Sequence, residues 1–110
     1  MRALLILLLA AAPALGAEPL RFWNLTNATV TKLELAPAGT DHWGPDQCVN
    51  DRDGEVDHNE RLRLTGIEPG RYDVRLGFRN GRSCVVHGVQ LRAEGRYAFS
   101  LEPSDLTDCH

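Results

Sequence analysis

The chain has 110 residues, with 12 Lys and Arg against 15 Asp and Glu, a net charge of -3 and three cysteines. A length of this order makes one domain, which excludes a multidomain enzyme, a Rossmann or barrel scaffold and a membrane protein with several spans. Basic residues alternate with acids, as in Glu60-Arg61 and Asp73-Val74-Arg75, whereas phosphate neutralisation needs clustered positive charge, so nucleic acid is not expected as a partner.

Met1-Arg2 is followed by an apolar run from Ala3 to Leu15. The run is too short to span a bilayer, and the small residues after it fit a removable export signal. Cleavage after Gly16, in the small-x-small segment Ala14-Leu15-Gly16, would release a single domain of residues 17–110. Loss of Arg2 with residues 1–16 takes the net charge of -3 to about -4. The expected location is periplasmic or secreted, with no membrane span once the signal is removed. No basic amphipathic stretch points to a membrane surface.

The remaining pattern is β throughout. Leu20 to Asn24 reads as a first strand, and Asn27 marks a turn. Thr29 to Leu35 is β-branched and alternating, with Leu33 and Leu35 facing in and Lys32 and Glu34 facing out. Ala36-Pro37-Ala38-Gly39 ends it. Residues 40–59 form a connection longer than most in compact domains. Arg61 to Thr65 resumes alternation, Pro69-Gly70 makes a turn, and Tyr72, Val74, Leu76 and Phe78 line one face of the next strand. Asn80-Gly81 predicts a hairpin with a type I′ turn. It leads to Cys84–Leu91, where Gly88 marks a bulge. Glu94-Gly95 makes the next turn, and Tyr97, Phe99 and Leu101 face inward from the last strand. The expected fold is all-β, a small antiparallel β-sandwich of about six to seven strands, immunoglobulin-like or transthyretin-like.

Asn24-Leu25-Thr26, Leu33-Glu34-Leu35-Ala36-Pro37-Ala38-Gly39 and Trp43-Gly44-Pro45-Asp46 resemble the first half of a family of small exported bacterial β-sandwich proteins of unknown function. Pro69-Gly70-Arg71-Tyr72-Asp73-Val74-Arg75 and Asn80-Gly81 resemble its second half, so the likeness covers most of residues 22–91. The resemblance implies export and a sandwich fold, and carries over no catalytic residues. Members of that family run more directly from the Trp-Gly-Pro segment to the next strand. The acidic stretch inserted here is the point of departure.

That stretch, Val49 to Glu60, can be laid on a calcium loop of the EF-hand type with Gly54 at the sixth position. Asp51, Asp53, Asp57 and Glu60 then fall at positions three, five, nine and twelve, and Glu55 supplies its carbonyl at seven. Hard Ca²⁺ takes six to eight oxygens, the glycine permits the sharp turn, and the final Glu can bind through both oxygens. Position one is Val49, which has no side-chain oxygen, and a strand rather than a helix follows Glu60. The competing reading is a solvated acidic turn built on Asp53-Gly54.

Export permits disulfides, and three cysteines allow at most one bridge within the chain. The expected pair is Cys48–Cys84, from a loop that folds over a strand. Cys109 can also pair with either of them, or link two chains into a dimer. No CxxC is present. His42, His58, His87 and His110 lack the spacing of zinc sites. Trp23 and Trp43 suit packing better than a sugar platform. Ser83, Ser100 and Ser104 lie in no nucleophile elbow. Asn24-Leu25-Thr26 and Asn27-Ala28-Thr29 match the glycosylation sequon, which in an exported bacterial chain is read as strand composition. The functional expectation is an exported, non-catalytic binding or structural module with one Ca²⁺ in its acidic loop, acting on an unidentified protein or surface partner. The alternative is a periplasmic transition-metal or small-ligand binding protein that uses the histidines and Cys109.

Overall fold

The computed structural model describes residues 20–93 and 97–110. The expected export signal and the expected turn at Glu94-Gly95 lie outside the described residues. Among the described residues six strands form: β1 (Arg21–Asn24), β2 (Val30–Pro37), β3 (Arg61–Arg63), β4 (Gly70–Phe78), β5 (Ser83–Leu91) and β6 (Phe99–Leu101). They make two three-stranded sheets, ordered β3-β1-β6 and β2-β4-β5. Short 3-10 turns occur at Gln47–Asn50 and Pro103–Asp105.

Alternation along each strand supplies the shared core. Phe22, Leu62, Phe99 and Leu101 come from the first sheet, and Leu33, Leu35, Val74, Leu76, Phe78, Cys84, Val86 and Leu91 from the second. The Phe22 and Phe99 rings lie 5.0 Å apart at 33°, a separation at which tilted aromatic rings attract. The outward positions hold charge instead. Glu34 on β2 pairs with Arg75 on β4 (2.7 Å), directly across the ladder.

The second sheet is antiparallel throughout. The first is mixed, because β6 runs parallel to β1 with Phe22 opposite Phe99, in place of the all-antiparallel expectation. A hairpin forces antiparallel pairing, but β6 follows β5, which belongs to the other sheet. Its direction beside β1 is therefore set by the crossing between sheets.

Two turns show how local chemistry is used. The β4–β5 hairpin forms where Asn80-Gly81 predicts it, but only Gly81 has positive φ (91°). A type I′ turn needs positive φ at both central residues. Here Gly81 N–H donates to Phe78 C=O (2.9 Å) and Phe78 N–H to Arg82 C=O (2.9 Å), the pattern of a three-residue loop closed by a left-handed glycine. Further along β5 the register slips between Tyr72 and Val74 of β4. Gly88 takes φ 67° there, the bulge its position in the strand suggests.

Candidate functional site

The long connection after β2 lies along the edge of the second sheet. Gly44 N–H donates to Leu35 C=O (2.9 Å), and Val56 exchanges two backbone hydrogen bonds with Val30 (2.8 and 2.9 Å). Between them, Asp46 Oδ1 accepts from Leu33 N–H (3.0 Å) and from Cys48 N–H (2.9 Å), so one carboxylate both covers the edge and caps the 3-10 turn. The same turn reaches the first sheet. Buried Gln47 accepts from Thr65 N–H (2.9 Å) and donates to Thr65 C=O (3.1 Å), while Asn50 donates to Arg63 C=O (2.8 Å). The connection thus closes one side of the sandwich, and Cys48 and Val56 enter the core. An exposed sheet edge is a template for pairing with other chains; this segment occupies it.

The last part of the connection is tied down by Asn24, which is 0% exposed. Its amide donates to Ala28 C=O (2.9 Å) and Val56 C=O (2.8 Å), and its Oδ1 accepts from the N–H and hydroxyl of Thr26 (3.0 and 2.6 Å). Its backbone joins Glu60 and Asn59. All of its polar atoms are satisfied, as burial requires. The sequon at Asn24 is therefore a structural knot, not an accessible acceptor. His58 Nδ1 donates to Thr26 C=O (2.7 Å) and fastens the same corner.

Of the five acidic residues expected to hold calcium, Asp51, Glu55, Asp57 and Glu60 have separate engagements. Asp51 Oδ2 accepts from Asp53 N–H (2.9 Å) and closes a turn in which Gly54 has φ 74°. Asp53 is exposed. Glu55 pairs with Arg79, and its hydrogen bond, with its charge, holds that guanidinium's pKa above its ordinary value. Asp57 accepts from the Thr29 hydroxyl (2.8 Å), and Glu60 accepts from Asp57 N–H (2.9 Å). Val49 is 75% exposed and offers no oxygen at the position where the loop pattern needs one. Among the described residues, no three His, Cys, Asp or Glu side chains converge on a cation position.

The cysteines correct the expected pairing. The disulfide joins Cys84 to Cys109, and Cys48 is a free, buried thiol. Strand order gives the reason. Cys48 sits over the β2 edge, its sulfur 3.9 Å from Val30 C=O, whereas Cys84 is on β5 with β4 between them. Two strand spacings make roughly 10 Å, beyond the reach of a disulfide. Cys109 is thereby engaged within the chain, so neither the expected Cys109-linked dimer nor a thiolate metal ligand at this position is available in the oxidised form. Burial pushes the Cys48 thiol up to about 12, with the Asp46 carboxylate adding to the effect.

A second polar cluster was not evident in the sequence. Asp73 faces away from the core yet is only 6% exposed. Its carboxylate accepts from Gly88 N–H (3.0 Å) and Gly39 N–H (3.1 Å). His87 bridges outward from it, with Nδ1 3.5 Å from Asp73 and Nε2 3.0 Å from Asp108 near the C-terminus. The Gly88 N–H, with smaller help from Gly39 and His87, lowers the Asp73 pKa against the opposing effect of burial. The sequence offered only an Asp on the polar face of an alternating strand and a glycine in the next; that the two meet is decided by the register of β4 against β5. Both tryptophans are engaged. Arg61 stacks on Trp23 at 4.2 Å and Arg75 on Trp43 at 4.3 Å, and Trp23 also meets the Tyr97 ring at 5.0 Å. An open groove of about 340 Å³ lies between the end of β5 and β6, lined in part by Gln90, Arg92 and Ser100.

No family model matches the chain, and comparison with curated proteins and with solved structures found no match. No helix among the described residues is long and apolar enough to cross a membrane.

Proposed function

We propose that the chain is an exported, non-catalytic module, a small β-sandwich that works as a structural or binding unit in the periplasm or outside the cell. The Cys84–Cys109 disulfide carries this reading, because such bonds persist in oxidising compartments and are rare in the cytosol. The basic-apolar leader and the resemblance of residues 22–91 to small exported sandwich proteins support it. The polar clusters support a structural role for their residues. Asn24, Asp46 and Asp73 each hold backbone amides in place, and the acidic loop is occupied by contacts within the chain.

The test is expression of the full chain in a bacterium with its own leader. The expected product is periplasmic or secreted, begins at Ala17, and has one alkylatable thiol when denatured without reductant. A cytoplasmic product retaining Met1 and three free thiols refutes the reading. A calcium arm belongs in the same experiment. Binding to the native state raises the thermal midpoint by linkage. A Ca²⁺ ion in the loop must draw Asp51 from the Asp53 N–H and Glu60 from the Asp57 N–H, so millimolar CaCl₂ is expected to leave the midpoint where EDTA leaves it. A calcium-specific rise, lost when Asp53→Ala is combined with Glu60→Ala, would make the loop a metal site.

A further inference from the structure

The C-terminal residues continue the second sheet beyond β5. Ser83 and His110 exchange two backbone hydrogen bonds of 2.8 Å, Val85 N–H donates to Thr107 C=O (3.2 Å), and the Thr107 hydroxyl donates to Val85 C=O (3.0 Å). This is strand addition in cis: the chain's own last residues fill the edge of β5. Little apolar burial holds them. Thr107, Asp108 and His110 are exposed, and only Leu106 and Cys109 pack partly against the core. The covalent bond to Cys84 and the His87–Asp108 contact supply the attachment. The connection from β6 is short, Glu102 to Asp105 with Pro103 opening its 3-10 turn.

We propose that the β5 edge is a strand-accepting site, locked shut by the Cys84–Cys109 disulfide, whose occupant after reduction is the Thr107–His110 segment of a second copy of this chain. Cys84 is 0% exposed, while Cys109 is partly exposed, so an attacking thiolate reaches the Cys109 sulfur. A dithiol reductant opens the lock. Its first thiolate attacks Cys109 Sγ, the S–S bond breaks, and Cys84 leaves as a thiolate and takes a proton. Its second thiolate then displaces Cys109, giving two protein thiols and the cyclic disulfide of the reductant. The released segment uncovers the backbone groups of Ser83 and Val85. The same segment from another copy offers them the same hydrogen bonds, and its Asp108 meets the same His87. Exchange of an identical element is a low-cost route to a dimer, and a short connecting hinge favours it.

The experiment uses the mature chain carrying Cys48→Ala, so that the buried thiol takes no part. An equal mixture of isotopically heavy and light protein is reduced with dithiothreitol, concentrated, and reoxidised with glutathione disulfide, which leaves as two glutathione thiols. Sedimentation is expected to give a monomer at every concentration before reduction, and a dimer fraction that grows with concentration after it. Reoxidation is expected to trap that dimer with Cys84 of one isotope joined to Cys109 of the other, about half of the crosslinked peptides being mixed. Amide exchange at Val85 is expected to rise in dilute reduced protein while β4 stays protected. A reduced chain that stays monomeric throughout overturns the proposal. So does a dimer that survives removal of residues 107–110, since that would be edge-to-edge pairing. Loss of the whole fold on reduction, read by tryptophan fluorescence, also overturns it, because the segment would then not be detachable.

Discussion

Asn24→Ala is expected to be the most damaging single polar substitution in the acidic-loop corner. The side chain makes four hydrogen bonds at full burial. Two acceptors keep other partners after truncation: Val56 C=O retains Val30 N–H, and Ala28 C=O retains the Thr26 hydroxyl. Thr26 N–H loses its partner inside the protein. An orphaned buried donor costs about 1–3 kcal/mol, and each lost but compensated bond about 1 kcal/mol. The sum is about 3–5 kcal/mol, a large share of the roughly 5–15 kcal/mol that holds a domain folded. For a domain of this size it corresponds to a fall in Tm of about 12–40 °C. Asn24→Asp keeps the shape but turns a carboxylate toward the carbonyls of Ala28 and Val56, 2.9 and 2.8 Å from the present amide. That carboxyl's folded pKa rises above its unfolded value of about 3.9. The folded state then binds more protons than the unfolded one, so the deficit relative to wild type is smallest below about pH 4 and grows as pH rises through the folded pKa. Urea unfolding followed by tryptophan fluorescence, at acid and neutral pH, measures both effects. A loss under about 1 kcal/mol for Asn24→Ala, or an Asp deficit that shrinks with rising pH, would refute the assignment of Asn24 as the knot of this corner.

Two further outcomes follow from the other polar groups. Asp73 has a lowered pKa, so its contribution is present above the unfolded carboxylate value and lost as pH falls through the folded one. Acid unfolding of wild type should therefore show a limb that Asp73→Asn flattens. The variant loses about 1–3 kcal/mol at neutral pH, because an amide cannot accept from both Gly39 and Gly88; an unchanged acid limb would count against it. Cys48, with its thiol pushed up to about 12, is expected to resist iodoacetamide at mildly alkaline pH while the chain is folded and to take up one adduct when unfolded without reductant. Rapid modification of the native chain, read by mass, would show that the thiol is accessible.

The strands were legible because their signal is local. Leu33 and Leu35, Tyr72 to Phe78, and Phe99 with Leu101 repeat at the two-residue period of a half-buried strand, and each lies in a strand of the structure. Asn80-Gly81 and Gly88 act through their own backbone freedom and appear as a hairpin and a bulge. The acidic loop was legible as a turn at Asp53-Gly54, but two of its carboxylates bond to groups distant in sequence: Glu55 to Arg79, and Asp57 to Thr29. Ligand spacing read along the chain carried no information about those competitors.

Composition, periodicity and turn residues by themselves determined an all-β domain and where its strands lie, since side-chain alternation and glycine geometry need no knowledge of what is adjacent in space. Only the tertiary structure decided which strands are neighbours, and with that the disulfide. With β4 between them, β2 and β5 occupy opposite edges of one sheet, so Cys48 cannot reach Cys84 and the C-terminal Cys109 does. The same arrangement turns a long polar connection into the cover of the β2 edge and the last residues into the cover of β5. Unpaired backbone groups at a sheet edge must find partners, and which segment supplies them depends on where the folded chain passes.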